Sequence, residues 1–407
     1  MESLKIAIAS DWFFPKIGGI ESHIDELARH LMEAGHEPHV ITHDYRYLRP
    51  YADSFPYPVE RFSAPVYLKK SHISLGTGQL WRINELYKKT GFDITHVHSI
   101  YSPLSIAVAN LSRGIRDVPV VATNHSFYGS PAADPVLKPV LKRVLKRIDT
   151  FIAVSRPVAR DTLQLLGESL DGRRVVVVPN GIDTEKWRPP EPEEREKARR
   201  ALGISDEIVL FYTGRMTERK NAHRLPLIVS KALELSGMAR DKVRLLIVGN
   251  GEMREKLVEN LKKTGLGENT VLFDFLPRER LLEFYWASDI VMVPGILESF
   301  SIVGLEASAT GRMVVGRDRS GISELILDGV TGLLGHTEEE VSKKLAWALE
   351  NPDLVEKMGA EARRRALRNF SWGVVIKKLL RVYRMTMDEA DGKDKLYLLY
   401  KLSRRIG

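Results

Sequence analysis

The feature that most constrains the fold of this chain is a repeated alternation of short β-branched runs with longer segments of helical periodicity. In the first half, the runs predict strands at 4–9, 40–42, 94–97, 118–122, 150–154 and 175–178. The segments between them predict helices at 20–34, 77–90, 102–113, 136–148 and 156–167. Because these strands lack polar alternation, helices must cover both faces of their sheet, as in a doubly wound parallel α/β domain.

The same pattern restarts after a proline-rich break, which predicts a linker at 183–195. Strands are then predicted at 208–212, 243–248, 271–273, 290–293 and 313–315. Helices are predicted at 222–237, 252–264, 278–287 and 301–310. We therefore expect two Rossmann-like domains, at 1–183 and 184–371, whose strand carboxyl ends face each other across a ligand-binding cleft.

Length and composition narrow the function classes. The 407 residues exceed one ordinary domain, and the lack of cysteine excludes disulfides, thiolate zinc sites, iron–sulfur clusters and cysteine nucleophiles. No apolar run reaches the roughly 20 residues of a membrane-spanning helix, and the N-terminus lacks a signal-peptide pattern, so we expect a cytoplasmic location. The net charge of +8 indicates an anionic partner, which could be a nucleotide, a nucleic acid or a membrane surface.

Several common catalytic motifs are incomplete or missing. Gly249-Asn250-Gly251 follows a predicted strand, but Arg254 stands where a dinucleotide fingerprint requires its third glycine. The P-loop, zincin and α/β-hydrolase motifs do not occur in the sequence. Nicotinamide and flavin oxidoreductases, P-loop enzymes, zincins and serine hydrolases are therefore disfavoured.

Two loops have the composition of phosphate-binding loops. Gly18-Gly19 lies between the first predicted strand and helix, where backbone N–H groups at a helix N-terminus suit a phosphate. Arg215 and Lys220 follow Gly214 after the strand at 208–212, and a guanidinium fork with a mobile ammonium suits a diphosphate. Taken alone, a Gly-Gly pair is more often just a tight turn, and basic loop residues are usually solvated.

A third loop follows the predicted strand at 290–293. If a helix begins near Ser299, its free N–H groups point at a phosphate or a sugar. Glu306, two turns later, could then accept hydrogen bonds from a ribose diol, and Glu298 on the loop could hold sugar hydroxyls. The alternative is a helix N-terminus with an ordinary acidic first turn.

Taken together, these segments resemble glycosyltransferase family 4. The resemblance spans 4–330 and rests on Gly18-Gly19, Asn180-Gly181-Ile182-Asp183, Gly214-Arg215, Lys220, Gly249-Asn250-Gly251, Glu298 and Glu306. The segments 10–24, 123–126 and 298–309 resemble most of all the subgroup that transfers GlcNAc to phosphatidylinositol. The resemblance implies the GT-B fold, a nucleotide-sugar co-substrate, retention of anomeric configuration, and neither a metal nor another cofactor.

The resemblance also implies roles for the matched residues in donor binding. Arg215 and Lys220 would bind the donor diphosphate, and Glu306 would bind the ribose. Glu298 would grip the donor sugar. The other residues implied to lie around the donor are Gly18, Gly19, Gly214, Gly249, Leu276, Ser299 and Phe300, with the amides of Gly18 and Gly19 near the distal phosphate and Leu276 near the base.

From the first domain, the resemblance implies that His125 lines the reaction centre, although a histidine at a strand end is as often a structural hydrogen-bonding group. A helix at about 372–390 would cross back onto the first domain. Two positions depart from the family, because Asn221 and Ser301 stand where it commonly has glycine. Asn tolerates a left-handed backbone, whereas Ser301 would shift the donor loop if its position requires positive φ.

The sequence singles out no carboxylate nucleophile, so we expect a same-face substitution in which the departing diphosphate accepts the acceptor's proton. UDP-GlcNAc is the favoured donor, UDP-glucose and GDP-mannose stay open, and the expected acceptor is an inositol phospholipid or a small molecule. One rival function is a UDP-sugar 2-epimerase. The other is a non-catalytic binder of nucleic acid or membrane, although no run of basic residues interleaved with aromatics favours nucleic acid.

The segment 137–148 is amphipathic. Its apolar residues, at 137, 140, 141, 144, 145 and 148, follow helical spacing. The opposite face carries Lys138, Lys142, Arg143, Lys146 and Arg147. This pattern fits an ordinary helix with a solvated basic face, or a helix that lies on the anionic inner face of a membrane as a peripheral contact.

Overall fold

The computed structural model describes residues 2–16, 18–45, 54–63, 66–68, 73–75, 80–128, 134–318 and 321–406. The chain forms two compact units. Unit 1 comprises Met1–Gly181 and Trp372–Gly407, and unit 2 comprises Ile182–Ser371. The boundary expected at 183/184 falls beside this junction.

Unit 1 contains a seven-stranded parallel sheet in the order β3-β2-β1-β6-β7-β8-β9, and a separate antiparallel pair, β4 and β5. Its strands are β1 Lys5–Ser10, β2 Glu37–His43, β3 Val59–Phe62, β4 Val66–Leu68, β5 Ile73–Leu75, β6 Ile94–His98, β7 Val120–Asn124, β8 Thr150–Ala153 and β9 Arg174–Val177. The sequence prediction missed β3, β4 and β5, which are three or four residues long.

Helices cover both faces of this sheet. They are α1 Gly19–Glu33, α2 Leu80–Thr90, α3 Pro103–Leu111, α4 Asp134–Val144 and α5 Arg156–Leu166. The apolar stripe of α1, which includes Ile24, Leu27 and Leu31, packs against Ile6 and Ile8 of β1. The predicted parallel sheet with helices between its strands is therefore confirmed in unit 1.

Unit 2 contains a six-stranded parallel sheet in the order β12-β11-β10-β13-β14-β15. Its strands are β10 Ile208–Thr213, β11 Val243–Val248, β12 Thr270–Phe273, β13 Ile290–Val293, β14 Met313–Arg317 and β15 Gly332–Gly335. Its helices are α6 Pro192–Ala201, α7 Leu225–Ser236, α8 Arg254–Thr264, α9 Arg278–Ala287, α10 Ile302–Ala309, α11 Ile322–Leu325, α12 Glu338–Glu350 and α13 Pro352–Asn369. The sequence prediction missed β15, α6, α11 and α12.

The predicted linker ends earlier than expected. We predicted irregular structure to residue 195, but α6 begins at Pro192. Proline is favourable at the first position of a helix, because that N–H group has no helical partner. A capping box between Glu191 and Glu194 closes the same turn, and Arg188 binds the Glu194 carboxylate at 2.7 Å.

The last helix, α14 Trp372–Ile406, belongs to unit 1. Seven of its side chains are buried in the core beside β1 and α1: Trp372, Val375, Ile376, Leu379, Leu380, Val382 and Tyr383. The Trp372 indole donates a hydrogen bond to Glu26 at 2.8 Å. The Tyr383 hydroxyl lies 2.7 Å from Nδ1 of His96 on β6. This helix therefore completes the core of unit 1 although it follows unit 2 in sequence.

Among the helices of the described residues, none combines the length and the apolar composition that crossing a bilayer requires.

Candidate active site

Each sheet has a point where the strand order reverses, between β1 and β6 in unit 1 and between β10 and β13 in unit 2. Open α/β sheets bind ligands outside the strand carboxyl ends at such points. In unit 2, the residues singled out from the sequence lie on the loops after β10 to β13 and on α10. In unit 1, Gly18 and Gly19 follow β1, and His125 follows β7.

An ion pair joins the two loops beside the switch point of unit 2. Lys220 lies in the turn Glu218–Lys220 after β10, and Glu298 lies on the loop after β13. Lys220 Nζ donates to both carboxylate oxygens of Glu298, at 2.8 and 3.0 Å. Glu298 is only 6% exposed. Since an ammonium has three N–H groups, Lys220 retains donor capacity for a phosphate.

The two glycine loops of unit 2 touch through their backbones. Gly214 and Gly249 have φ values of 151° and 154°, and a Cβ on Gly249 would overlap the carbonyl of Gly214. The loops are joined by hydrogen bonds from the Gly214 amide to Val248, at 3.0 Å, and from Met216 to Asn250, at 2.9 Å. Gly249 therefore lets the neighbouring loop, with the exposed Arg215 side chain, approach closely.

Asn221, which stands where the family commonly has glycine, adopts a left-handed backbone conformation. Its φ is 56° and its ψ is 21°. The Asn221 side-chain amide donates to the Pro294 carbonyl at 3.3 Å and to Glu338 at 3.2 Å. These hydrogen bonds hold the residue next to Lys220, and Asn is among the few residues that adopt this conformation readily.

The helix predicted at 301–310 spans Ile302–Ala309, so it does not begin as early as Ser299. Ser301 caps the helix, and its hydroxyl accepts a hydrogen bond from the Gly304 amide at 3.2 Å. Consequently, Ser299 and Phe300 lie on the loop before the helix. Phe300 is buried and packs edge-on against Phe370.

Ser301 adopts φ 77° and ψ 92°, so this position does require positive φ, and a serine occupies it. We expect Ser301→Gly to stabilise unit 2 by about 0.5–1 kcal/mol, because relief of about 1–3 kcal/mol of strain exceeds the loss of the cap and the added chain entropy. Urea denaturation measures the difference. Ser299→Gly is the control, since Ser299 is not among the positive-φ residues and should lose stability. If Ser301→Gly and the parent chain are equally stable, the backbone at Ser301 is not strained.

Glu306 is buried on α10 and is held by two side chains from α9. Its carboxylate accepts a hydrogen bond from the Tyr285 hydroxyl at 2.8 Å and one from Arg278 at 3.1 Å. Burial and the neighbouring Glu306 carboxylate raise the pKa of Tyr285 well above its usual value. Sequence reasoning missed Arg278 and Tyr285, although their spacing of seven residues places both on one face of a helix.

The loop after β12 carries the residue expected near a base. Leu276 is half-buried there, and its neighbour Phe275 is 49% exposed, an aromatic side chain that the sequence prediction did not single out. This loop and the Gly249 loop follow adjacent strands.

The Gly18-Gly19 turn already has a carboxylate beside it. Helix α1 begins at Gly19, and Oε2 of Glu21 lies 2.5 Å from the position that a Cβ on Gly18 would occupy. Burial lowers the pKa of Lys16 to about 8, against the opposing effects of Glu21 and Asp11. The helix N-terminus therefore carries its own anion and a neighbouring cation, and sequence reasoning identified neither.

His125 directly follows β7 and is hydrogen-bonded to a second histidine. Its Nε2 lies 2.9 Å from Nδ1 of His98, the last residue of β6. Burial lowers the pKa of His125 to about 4. His125 is nevertheless part-exposed, whereas His98 is fully buried. The imidazole of His125 is therefore neutral at pH 7. It can donate a hydrogen bond to a sugar or acceptor hydroxyl, or accept one from it.

Comparison with known proteins gives two family matches that together cover most of the chain. Residues 17–186 match the model described as Glycosyltransferase Family 4, and residues 194–365 match Glycosyl transferases group 1.

Curated relatives extend over most of the chain. A D-inositol 3-phosphate glycosyltransferase of Nocardia farcinica is 32% identical, over 74% of this chain and 68% of its own length. An uncharacterized glycosyltransferase of Methanocaldococcus jannaschii is 27% identical, over 95% of this chain and 99% of its own length. One subunit of the phosphatidylinositol N-acetylglucosaminyltransferase of Arabidopsis thaliana is 25% identical, over 93% and 81%.

Solved structures share the fold. HepE of Anabaena, solved in complex with UDP and glucose, has a TM-score of 0.76 at 18% identity, covering 94% of this chain and all of its own. A sucrose-phosphate synthase of Thermosynechococcus elongatus has a TM-score of 0.77 at 21% identity, and the match covers 95% of this chain and all of the synthase chain. The predicted GT-B class is therefore confirmed.

Proposed function

This chain belongs to glycosyltransferase family 4, and from that premise we propose that it transfers a sugar, with retention, from UDP-GlcNAc or a similar nucleotide sugar to an inositol phosphate group. The single observation that carries the donor part is the pairing of Lys220 with the buried Glu298 at the switch point of unit 2. The pair places a cation and a sugar-binding carboxylate side by side. Membership of a transferase family disfavours the epimerase and the non-catalytic binder.

The donor would lie along the strand carboxyl ends of unit 2. Lys220 and the exposed Arg215 bind the diphosphate, and Glu298 binds sugar hydroxyls. Glu306 binds the ribose, because its buried carboxylate is oriented by Arg278 and Tyr285. The base lies against Leu276, where the exposed Phe275 adds an aromatic surface.

The bond to the leaving group breaks as negative charge grows on the diphosphate. Lys220 is already held by Glu298, so this cation needs little reorganisation during the reaction, which is the usual source of such catalysis. The departing diphosphate accepts the proton of the attacking hydroxyl on the same face of the sugar, which gives retention without a carboxylate nucleophile. Because Arg215 and Lys220 supply the positive charge, the reaction needs no metal.

Two relatives suggest the acceptor. The names of the Nocardia farcinica and Arabidopsis thaliana relatives each refer to an inositol that bears a phosphate. We therefore propose an acceptor hydroxyl on an inositol phosphate, which an inositol phospholipid or a free inositol phosphate could supply.

The test is a donor and acceptor matrix with the purified chain. UDP-GlcNAc, UDP-glucose and GDP-mannose are each incubated with phosphatidylinositol in detergent, with a free inositol phosphate, or with no acceptor, and nucleoside diphosphate release is measured. We expect release from UDP-GlcNAc that depends on an inositol phosphate, and an α-linked product by NMR. A β-linked product would contradict retention, and equal release without acceptor would favour the epimerase.

The basic segment of unit 1 is the proposed contact with a lipid surface. Leu141, Leu145 and Ile148 are buried, but Val140 is 54% exposed, so its expected place in the apolar stripe is wrong. Leu137 lies outside the residues whose side chains are described. The exposed Arg143 and Arg147 follow Val140 at helical spacing, and α4 ends at Val144 rather than at 148. In the adjoining turn Ser112–Arg116, Ile115 is 66% exposed.

A lipid surface predicts charge-dependent sedimentation. Replacing Arg143, Lys146 and Arg147 by Gln should weaken binding to anionic vesicles about 100-fold, at about 1 kcal/mol for each basic residue near the surface. Vesicle co-sedimentation at low and high salt measures this. The control replaces Lys256, Lys262 and Lys263, exposed on α8 of unit 2, by Gln. If both variants lose vesicle binding equally, binding depends only on the net charge of the protein and not on this segment. That result would favour a soluble acceptor.

A further inference from the structure

Three histidines of unit 1 lie together at its switch point. His98 ends β6, His125 follows β7, and His23 lies on α1. They meet because β6 pairs with β1 on one side and with β7 on the other, while α1 is the helix that follows β1. One ring nitrogen from each histidine lies within 4.8 Å of the other two.

The rings are arranged around a common point. The centroid of the His23 ring is 5.1 Å from that of His125 and 5.7 Å from that of His98. His98 and His125 share a hydrogen bond of 2.9 Å, so one proton lies between the two nitrogens. The second nitrogen of His98, Nε2, is buried and has no hydrogen-bond partner within the part of the chain that the structure describes. Such a nitrogen is unfavourable unless a ligand or an ion satisfies the group.

Burial lowers the pKa of both strand-end members of this cluster. Burial and the neighbouring imidazoles hold the pKa of His98 well below its usual value, and burial lowers that of His125 to about 4. Neutral imidazole is the metal-binding form of histidine. Behind the cluster, the ring of His96 lies 4.3 Å from that of His98, and burial lowers its pKa to about 3, so it adds no charge.

The wall behind the cluster is rigid. His96 is held by the Tyr383 hydroxyl of α14 and by Thr123 of β7, each at 2.7 Å. The Ser105 hydroxyl donates to the backbone carbonyl of His98 at 2.8 Å. A cluster on strand ends with fixed neighbours is preorganised, which is what a metal site requires of its surroundings.

We propose that His23, His98 and His125 bind a transition-metal ion of the Zn²⁺ type. Three imidazoles without a carboxylate in the group favour Zn²⁺, Co²⁺, Ni²⁺ or Cu²⁺ over Mg²⁺ and Ca²⁺, which prefer oxygen ligands. His23 and His125 are part-exposed while His98 is buried, so an ion reaches the cluster from the side of the first two. Binding replaces the hydrogen bond between His98 and His125, and its proton moves to the other nitrogen of the same neutral ring.

The occupied site would also be inhibitory. Nε2 of His125 already bonds to His98, so Nδ1 is the nitrogen left for a sugar or acceptor hydroxyl. An ion on Nε2 fixes the ring proton on Nδ1 and places a positive charge beside it, so that nitrogen can no longer accept a hydrogen bond. This consequence rests on the proposed function, because it assumes that His125 lines the reaction centre. Metal binding itself does not depend on the proposed function, so the two parts fail separately.

Metal binding is tested on the full chain after chelator treatment. Equilibrium dialysis should give one Zn²⁺ per chain, and Co²⁺ should produce the visible absorption of a low-coordinate nitrogen site. His23→Ala and, independently, His125→Ala should each weaken binding at least about 100-fold, since even second-shell changes cost about 10- to 100-fold. His336→Ala is the matched control, because His336 is exposed in unit 2 and pairs with Asp318.

Circular dichroism confirms that each variant is folded. Unchanged Zn²⁺ affinity in His23→Ala and His125→Ala would overturn the site, as would absence of stoichiometric binding by the parent chain. For the inhibitory part, the activity of each protein is compared with its own metal-free rate. Inhibition should follow occupancy in the parent chain and in His336→Ala, and should shift to higher Zn²⁺ in His23→Ala. If the parent chain keeps full activity when Zn²⁺ fully occupies the site, the proposal that the metal inhibits is overturned.

Discussion

Replacing Lys220 by Ala is expected to lower kcat/KM for the nucleotide sugar by about 100- to 1000-fold, the cost of removing a preorganised group that stabilises developing charge. In the proposed donor site, Lys220 donates a charge-assisted hydrogen bond to the leaving diphosphate. Its removal also leaves the buried Glu298 carboxylate without its cation, which disturbs the sugar-binding side of the site. Initial rates of UDP release at several donor concentrations measure the change.

The control for Lys220→Ala is Lys231→Ala. Lys231 is exposed on α7 and pairs with Glu234, so the substitution removes the same charge from unit 2 without touching the site. Rates within about threefold of the parent chain are expected there, as for most surface changes. Lys220→Arg should restore part of the activity, because it keeps the charge. A kcat/KM for Lys220→Ala that matches the Lys231→Ala control would remove Lys220 from the donor site.

Truncation after Ser371, which deletes α14, is expected to unfold unit 1. The helix buries seven apolar and aromatic side chains from Trp372 to Tyr383. At about 1.5–3 kcal/mol for each buried side chain, their loss amounts to roughly 10–20 kcal/mol as an upper estimate. That is as large as the total stability of an ordinary domain, about 5–15 kcal/mol.

Limited proteolysis with mass spectrometry measures the result. Fragments from 1–181 should disappear within minutes in the truncated chain, while unit 2 should resist longer. Truncation after Ala390 is the control, since it leaves the buried residues from Trp372 to Tyr383 in place and should preserve unit 1. Equal protease resistance of 1–181 with and without α14 would contradict the contribution of this helix to the unit 1 core.

The sequence alone was sufficient for the order and type of most elements. A buried parallel strand such as β11 is apolar on both faces, and a helix such as α1 repeats its apolar residues every three to four positions, so both patterns are local. Elements without such a pattern were missed. β15 has only the sequence Gly-Leu-Leu-Gly. Helix α6 is highly polar, and the prolines at and before its first residue outweighed its capping residues in the prediction.

The sequence also located the loops of the candidate site, because ligands bind at strand carboxyl ends and the strands were placed correctly. It did not show the backbone conformation at the start of α10. The helix was predicted at 301–310 and spans Ile302–Ala309, but the φ of 77° at its cap, Ser301, depends on how the loop packs. A single positive φ leaves no periodic trace in a sequence, except where glycine occupies the position.

What only the tertiary structure decided is which side chains meet. Lys220 reaches Glu298 across 78 residues because β10 and β13 are neighbours in the sheet of unit 2, although β11 and β12 separate them in sequence. His98 reaches His125 across 27 residues because β6 and β7 are adjacent in unit 1. Strand order is set by the packing of whole helices and sheets, and the local periodicity that identifies a strand does not encode its neighbours.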